Sequence, residues 1–236
     1  MTEIIPAIMP TSFVDLSLKA ERVRGIAPLA QIDVMDGKFV KSRSWPYMES
    51  GSASGDHFGE LKSQEELLPF FDELDYELDL MIDEPEKHIF EWLPLGASRL
   101  IFHIEAIKDI ELFFAHDIWK EGAREIGEQK IIEVGLAITP GTPIEEIIPY
   151  LDKIDLVQCM GIEKIGYQGE PFDERVLDMI NTVRIAAPNM PISVDGGVNI
   201  ETAPLLRAAG ATRLVSGSAV FGAEDMALAI EALSRA

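Results

Sequence analysis

Eight apolar runs of strand length, each parted from the next by a longer segment of helical or turn character, constrain this chain more than any other feature. They are Ile4 to Met9, Leu29 to Met35, Tyr76 to Ile82, Arg99 to Glu105, Ile131 to Ile138, Leu156 to Met160, Pro191 to Asp195 and Arg213 to Ser216. Parallel strands need long crossovers, so strands that alternate with helices predict a parallel sheet. Eight such units in 236 residues predict a closed barrel in which the strands form the inner wall. The expected fold is therefore α/β, a single (β/α)8 barrel over residues 1–236.

The helical segments follow the 3.6-residue period. Glu174 to Ile185 places Val176, Leu177, Ile180 and Val183 on one side, and a last helix begins near Ala223-Glu224-Asp225. An open doubly wound sheet is the competing architecture, but Pro6-Ala7-Ile8-Met9-Pro10-Thr11 offers no glycine-rich dinucleotide turn after the first strand. One stretch breaks the rhythm. The loop at 38–61 is long for a βα connection and rich in Ser and Gly, yet it carries Trp45, Tyr47 and Phe58. Two readings stand for it: a lid over the site, or a surface excursion or subunit contact.

Forty-one acidic against twenty basic residues give a formal charge of -21. Nucleic acid and anionic membrane both demand a cationic footprint, so neither is an expected partner. A small phosphorylated ligand remains compatible, since backbone N–H groups can hold it against the global field. The lone Cys159 excludes an internal disulfide, and Met1-Thr2-Glu3 does not resemble a signal peptide. The expected location is cytoplasmic.

Side chains alternate along a strand, and in a barrel the inward set meets at the C-terminal strand ends. That rule groups Gln31, Asp33 and Met35; Glu77, Asp79 and Met81; Ile101, His103 and Glu105; Gln158 and Met160; Ser193 and Asp195. Asp33, Asp79 and Asp195 would then converge, with Gln31 and His103 nearby and methionines around them. Carboxylates this close repel, so a cation or bound protons must neutralise them. Aspartate and amide oxygens are hard donors, better matched to Mn²⁺ or Mg²⁺ than to Zn²⁺. Two carboxylates on opposite faces of one carbon could remove a proton and return another, inverting the centre. Asp195-Gly196-Gly197-Val198 and Ser216-Gly217-Ser218-Ala219 follow the seventh and eighth strands, where barrels commonly bind phosphate, and Gly166-Tyr167-Gln168-Gly169 follows the sixth.

These pieces resemble the ribulose-phosphate 3-epimerase family along nearly the whole chain. The resemblance rests on Asp33-Val34-Met35-Asp36-Gly37-Lys38-Phe39-Val40, Leu80-Met81-Ile82 and Phe102-His103-Ile104-Glu105-Ala106. It continues through Gly135-Leu136-Ala137-Ile138-Thr139-Pro140-Gly141-Thr142, Val194-Asp195-Gly196-Gly197-Val198 and Val215-Ser216-Gly217-Ser218-Ala219. It implies a TIM barrel of the ribulose-phosphate-binding type that inverts C3 of a ketose phosphate through a metal-stabilised enediolate. Asp33 and Asp195 fall on the acid/base positions, and Gln31, Asp33, Asp79 and Asp195 on the metal positions. Met35, Met81 and Met160 match the substrate wall; Gly196, Gly197, Gly217 and Ser218 match the phosphate segments, with Gly166, Gly169 and His103 as further candidates for contact with substrate. The family's dimers and hexamers imply a homo-oligomer.

The departures lie in the site. Family histidines are replaced by Gln31 and Asp79, and a first-strand serine by Ala7. The loop usually reading Pro-Gly-Phe-Gly-Gly-Gln becomes Lys164-Ile165-Gly166-Tyr167-Gln168-Gly169-Glu170. Two readings stand for Lys164: pairing with a phosphate, or a solvated surface lysine. Two further functions compete with epimerisation: a non-catalytic phosphosugar-binding or regulatory barrel, and an aldol-type phosphosugar lyase or synthase. Acids paired with Lys or Arg instead of facing a cation would favour the binding barrel.

Overall fold

A computed structural model describes residues 2–48, 57–120, 125–126, 129–130 and 132–236. Its centre is a closed barrel of eight parallel strands. They are β1 (Glu3–Ile8), β2 (Leu29–Met35), β3 (Asp75–Met81), β4 (Arg99–His103), β5 (Glu133–Ile138), β6 (Leu156–Met160), β7 (Ile192–Asp195) and β8 (Arg213–Ser216). Each strand pairs with its neighbours in sequence, and β8 returns to β1 to close the ring. The expected (β/α)8 architecture is the one observed. All eight expected strands form, three with the expected ends and five with ends displaced by one or two residues.

The period-two pattern sorts the two faces of the wall. Ile32 and Val34, Leu78 and Leu80, Leu100 and Phe102, Val134 and Leu136 point outward into the main apolar core, against the helices. That core includes α1 (Phe13–Val23), whose Phe13, Leu16, Ala20 and Val23 are buried at helical spacing. Ser12 caps this helix, its side chain accepting from Asp15 N at 3.0 Å. Later in the chain come α2 (Phe58–Lys62), α3 (Ile89–Trp92), α4 (Ile110–Ala115), α5 (Arg175–Ala186), α6 (Ala203–Ala209), α7 (Ser218–Phe221) and α8 (Met226–Arg235). Helix α5 lies one residue from the span that periodicity predicts. Between β5 and β6 the chain makes only two 3-10 turns, Ile144–Glu146 and Ile148–Tyr150. Pro143 and Pro149, which lack an N–H, stand where a helix would have to run on.

The long segment after β2 folds inward in its described parts. Trp45, Tyr47 and Phe58 are buried. Trp45 meets Phe13 with ring centroids 5.7 Å apart, and Phe58 meets Trp92 at 5.4 Å. Ser44 stitches the segment to the end of β2: its hydroxyl donates to Asp33 O at 2.6 Å and accepts from Met35 N at 2.9 Å. These aromatic residues are thus core, while residues 49–56 of the expected lid lie outside the described residues.

Charge fills the barrel's N-terminal end. The carboxylate of Glu77 on β3, fully buried, is held by Arg99 of β4 and Arg213 of β8. Arg99 also reaches Glu133 on β5 through Nε at 2.8 Å, and Arg213 reaches Glu3 on β1 at 2.6 Å. Five strands are tied by one chain of ion pairs, and this floor leaves the opposite rim as the place for a site. Among the described residues, no helix is long and apolar enough to cross a membrane.

Candidate active site

Register delivers three carboxylates to one level of the barrel. Asp33 stands beside Asp79 in the β2–β3 pairing, and Asp195 ends β7 next to Met160 of β6. Asp33, Asp79 and Asp195 offer oxygens that all lie within 4.8 Å of one another. Such a set of three carboxyl groups, every donor an oxygen, fits a hard divalent cation.

The neighbours of these acids are neutral amides and a histidine. Gln31 Nε2 donates to Asp33 Oδ1 and to Asp195 Oδ2, both at 2.8 Å. Its buried Oε1 has no hydrogen-bond partner among the described residues. Asp79 accepts from Gln158 Nε2 at 3.3 Å and lies 3.1 Å from His103 Nε2. His103 is fully buried, its ring 5.3 Å from that of Phe39. Beyond it Glu105 accepts from Thr139 N at 2.7 Å and from Thr139 Oγ1 at 2.8 Å.

Burial and mutual repulsion shift the protons in this cluster. Asp33 is pushed well above the usual carboxylate range by burial, then by Asp195 and Asp79. Asp195 rises to about 7 through burial and Asp79, with the Gln31 hydrogen bond and His103 working in the other direction. Burial favours neutral His103, but the charge and hydrogen bond of Asp79 overcome it and raise its pKa.

Above the acids opens a cavity of about 220 Å³. Asp33 and Asp195 reach it, Met81 and Met160 form part of its wall, and Ala7 and Met9 complete that side. Gly166, Gly169, Gly196, Gly197, Gly217 and Ser218 all line it. Gly197 has φ +67, and a Cβ there would stand 2.9 Å from Phe172, so glycine is required for this turn. Gln31, Asp79, Met35 and His103 lie outside the lining and are fully buried, and Met35 packs with Val40 and Met81. Lys164 is not in the lining either; its Nζ sits 4.2 Å from the centroid of the Tyr167 ring. Two lining residues that sequence reasoning did not single out by role are Gln168 and Glu170, both signalled by the altered loop after β6.

A closed barrel whose carboxylates converge at the C-terminal strand ends, beside glycine turns after β6, β7 and β8, is the arrangement of TIM-barrel enzymes. The Ribulose-phosphate 3 epimerase family model matches residues 3–221. The chain belongs to that family. It is 34% identical over 236 residues to the ribulose-phosphate 3-epimerase of Mycobacterium tuberculosis (strain ATCC 25618 / H37Rv), covering 98% of this chain and 91% of the relative. To the Bacillus subtilis (strain 168) ribulose-phosphate 3-epimerase it is 33% identical, with 98% and 97% covered. Among solved structures, the barrel is similar to KGPDC from Streptococcus mutans (TM-score 0.65, 15% identity, 100% and 96% covered). It is also similar to 3-keto-L-gulonate-6-phosphate decarboxylase from Vibrio cholerae O1 biovar El Tor str. N16961 (TM-score 0.66, 15% identity, 100% and 99% covered). At such identities the two structures speak to the fold.

Proposed function

We propose that this chain is a ketose-phosphate 3-epimerase interconverting ribulose 5-phosphate and xylulose 5-phosphate. The observation that carries the reading is the meeting of Asp33 and Asp195, from strands on different sides of the barrel, at the floor of the cavity beside the glycine turns. Asp33 removes the C3 proton, the C–H electron pair passes into the enediolate, and the Asp195 carboxyl returns a proton to the opposite face of C3. Running backwards, the two exchange roles. Such a pair needs one protonated and one ionised member at neutral pH, and that need suits two acids pushed upward by burial and by Asp79, with Asp195 raising Asp33 further.

Asp33, Asp79 and Asp195 would hold a divalent cation, Mn²⁺ or Mg²⁺ in preference to Zn²⁺ because every donor is an oxygen. When bound, such an ion supplies positive charge beside the substrate's carbonyl and hydroxyl oxygens. Gln31 joins that set only if its amide turns to present Oε1. Met81 and Met160 give the reacting carbons an apolar wall, and the turns at Gly196–Gly197 and Gly217–Ser218 receive the phosphate. The acids pair with amides and an imidazole, while Arg99 and Arg213 stay with Glu77 at the floor, which favours an enzyme over a binding barrel. A rice relative named a cytoplasmic isoform supports placing the chain in the cytoplasm, and a homo-oligomer is the assembly we assign to it.

The test is ribulose 5-phosphate in D₂O with purified protein and Mn²⁺, Mg²⁺ or Zn²⁺, followed by NMR. Deuterium at C3 together with xylulose 5-phosphate is the expected result. No exchange with any of the three metals would remove the epimerase reading.

A further inference from the structure

The cavity sets an electrostatic problem for a phosphorylated ligand. Among the described residues that line it the charged side chains are Asp33, Asp195 and Glu170, all acidic, and none is Lys or Arg. A phosphate group taken out of water there must be satisfied by N–H and O–H donors. Two of the lining side chains with such groups, Asn199 and Ser216, are already engaged. Asn199 donates to Gly197 O at 3.3 Å, and its Oδ1 accepts from Glu201 N and Thr202 N, so it is spent on its own turn. Ser216 donates to Val198 O at 3.3 Å.

Gln168 is placed differently. It lies between Gly166 at φ +85 and Gly169 at φ +78, two left-handed residues that turn the loop after β6 over the cavity. Its carboxamide covers Gly217 closely: Nε2 stands 2.7 Å, and Cδ 3.4 Å, from where a Cβ on Gly217 would be. That brings an uncharged NH₂ to the mouth of the turn that ends β8, in a cavity it shares with Gly197 and Ser218. Counting from Gly166-Tyr167, the family loop has glycine where Gln168 stands and a neutral glutamine where Glu170 stands. The acid deepens the need for a donor, and the new side chain provides one.

We propose that Gln168 is a specificity-determining residue, its carboxamide NH₂ donating to the phosphate oxygens of the substrate where they meet the turn at Gly217–Ser218. This rests on the ketose-phosphate reading of the site. A hydrogen bond to a charged group is the kind of interaction whose loss weakens binding by roughly tenfold or more. The contact is made equally before and during the chemistry, so its removal raises KM and leaves kcat.

Two variants separate donation from bulk. Gln168→Gly removes both, and Gln168→Leu keeps the bulk without the N–H groups. In each, KM for ribulose 5-phosphate and the dissociation constant for inorganic phosphate, read by calorimetry, are expected to rise about tenfold, with kcat within about threefold and Tm unchanged. Unaltered phosphate affinity in Gln168→Gly would overturn the proposal. So would wild-type affinity in Gln168→Leu, which would make the role steric. Should the wild type fail to turn over ribulose 5-phosphate, the epimerase reading falls, while the inorganic phosphate titration still decides the role of Gln168.

Discussion

Gln31 and Asp195 join across the barrel interior, Nε2 to Oδ2 at 2.8 Å, over a sequence separation of 164 residues. The same nitrogen serves Asp33 at 2.8 Å. One neutral donor thereby holds the two carboxyls assigned to proton transfer at a common height. Exchanging the amide for another group should change the site in a direction that depends on what replaces it.

Replacing Gln31 by His restores an imidazole beside three carboxylates. Softer nitrogen donation shifts preference toward zinc. Competition titrations should show Zn²⁺ affinity relative to Mn²⁺ rising by at least about tenfold in Gln31→His. An unchanged ratio would mean that residue 31 takes no part in metal choice.

Asp33→Asn and Asp195→Asn each keep shape and hydrogen bonding while removing one proton carrier. Each should lower kcat by about 10²–10⁴-fold, with a circular dichroism spectrum like that of the wild type. Because each substitution also relieves repulsion among buried acids, the melting temperature above pH 7 should hold or rise. Full activity in either variant would take that residue out of the mechanism.

Protonation gives a third expectation, for protein stripped of metal by chelation. Asp195 titrates at about 7 in the folded chain against 3.8 for an ordinary aspartate, and Asp33 is raised in the same direction. Between those pH values the native state holds more protons than the unfolded one. The contribution to stability is therefore whole below the ordinary carboxylate range and is lost as pH rises through 7. Thermal melts of metal-free protein should fall from pH 5.5 to pH 8, and Mn²⁺ should restore more at pH 8. A flat profile, or greater stabilisation by Mn²⁺ at pH 5.5, would contradict this.

At the other end of the barrel, Glu77→Gln leaves Arg99 and Arg213 facing a neutral amide. Breaking a buried pair from one side costs about 3–5 kcal/mol. Urea unfolding should show that loss as a lower midpoint, with turnover of the folded fraction little changed. A stability loss below about 1 kcal/mol would imply that water replaces the carboxylate.

The wall of the barrel was legible because period two and length suffice to recognise a strand, and the same period places Asp33, Asp79 and Asp195 inward. Local rules stop there. That Glu77 pairs with both Arg99 and Arg213 depends on which strands face each other across the ring, information that no single segment carries. Trp45, Tyr47 and Phe58 stand in a Ser- and Gly-rich stretch that reads as a lid or as a surface excursion or subunit contact, whereas Phe13 and Trp92 from other segments create the apolar volume they fill. Lys164 looked free to meet a phosphate; the ring of Tyr167, three residues on, holds it instead. Gln168 was visible as a residue, but only the backbone turn brings it over Gly217.

The seam that closes the ring pairs Glu3 with Arg213 and Pro6 with Ser216. Those two strands are the first and the last of the barrel in sequence, so the ring closes only when both are in place. Without β8, the first strand would keep one edge unpaired and Asp195 would lack one of the two strands that flank it. The three-acid cluster therefore depends on contacts of high sequence separation, and the cation site proposed for it is complete only in the closed ring.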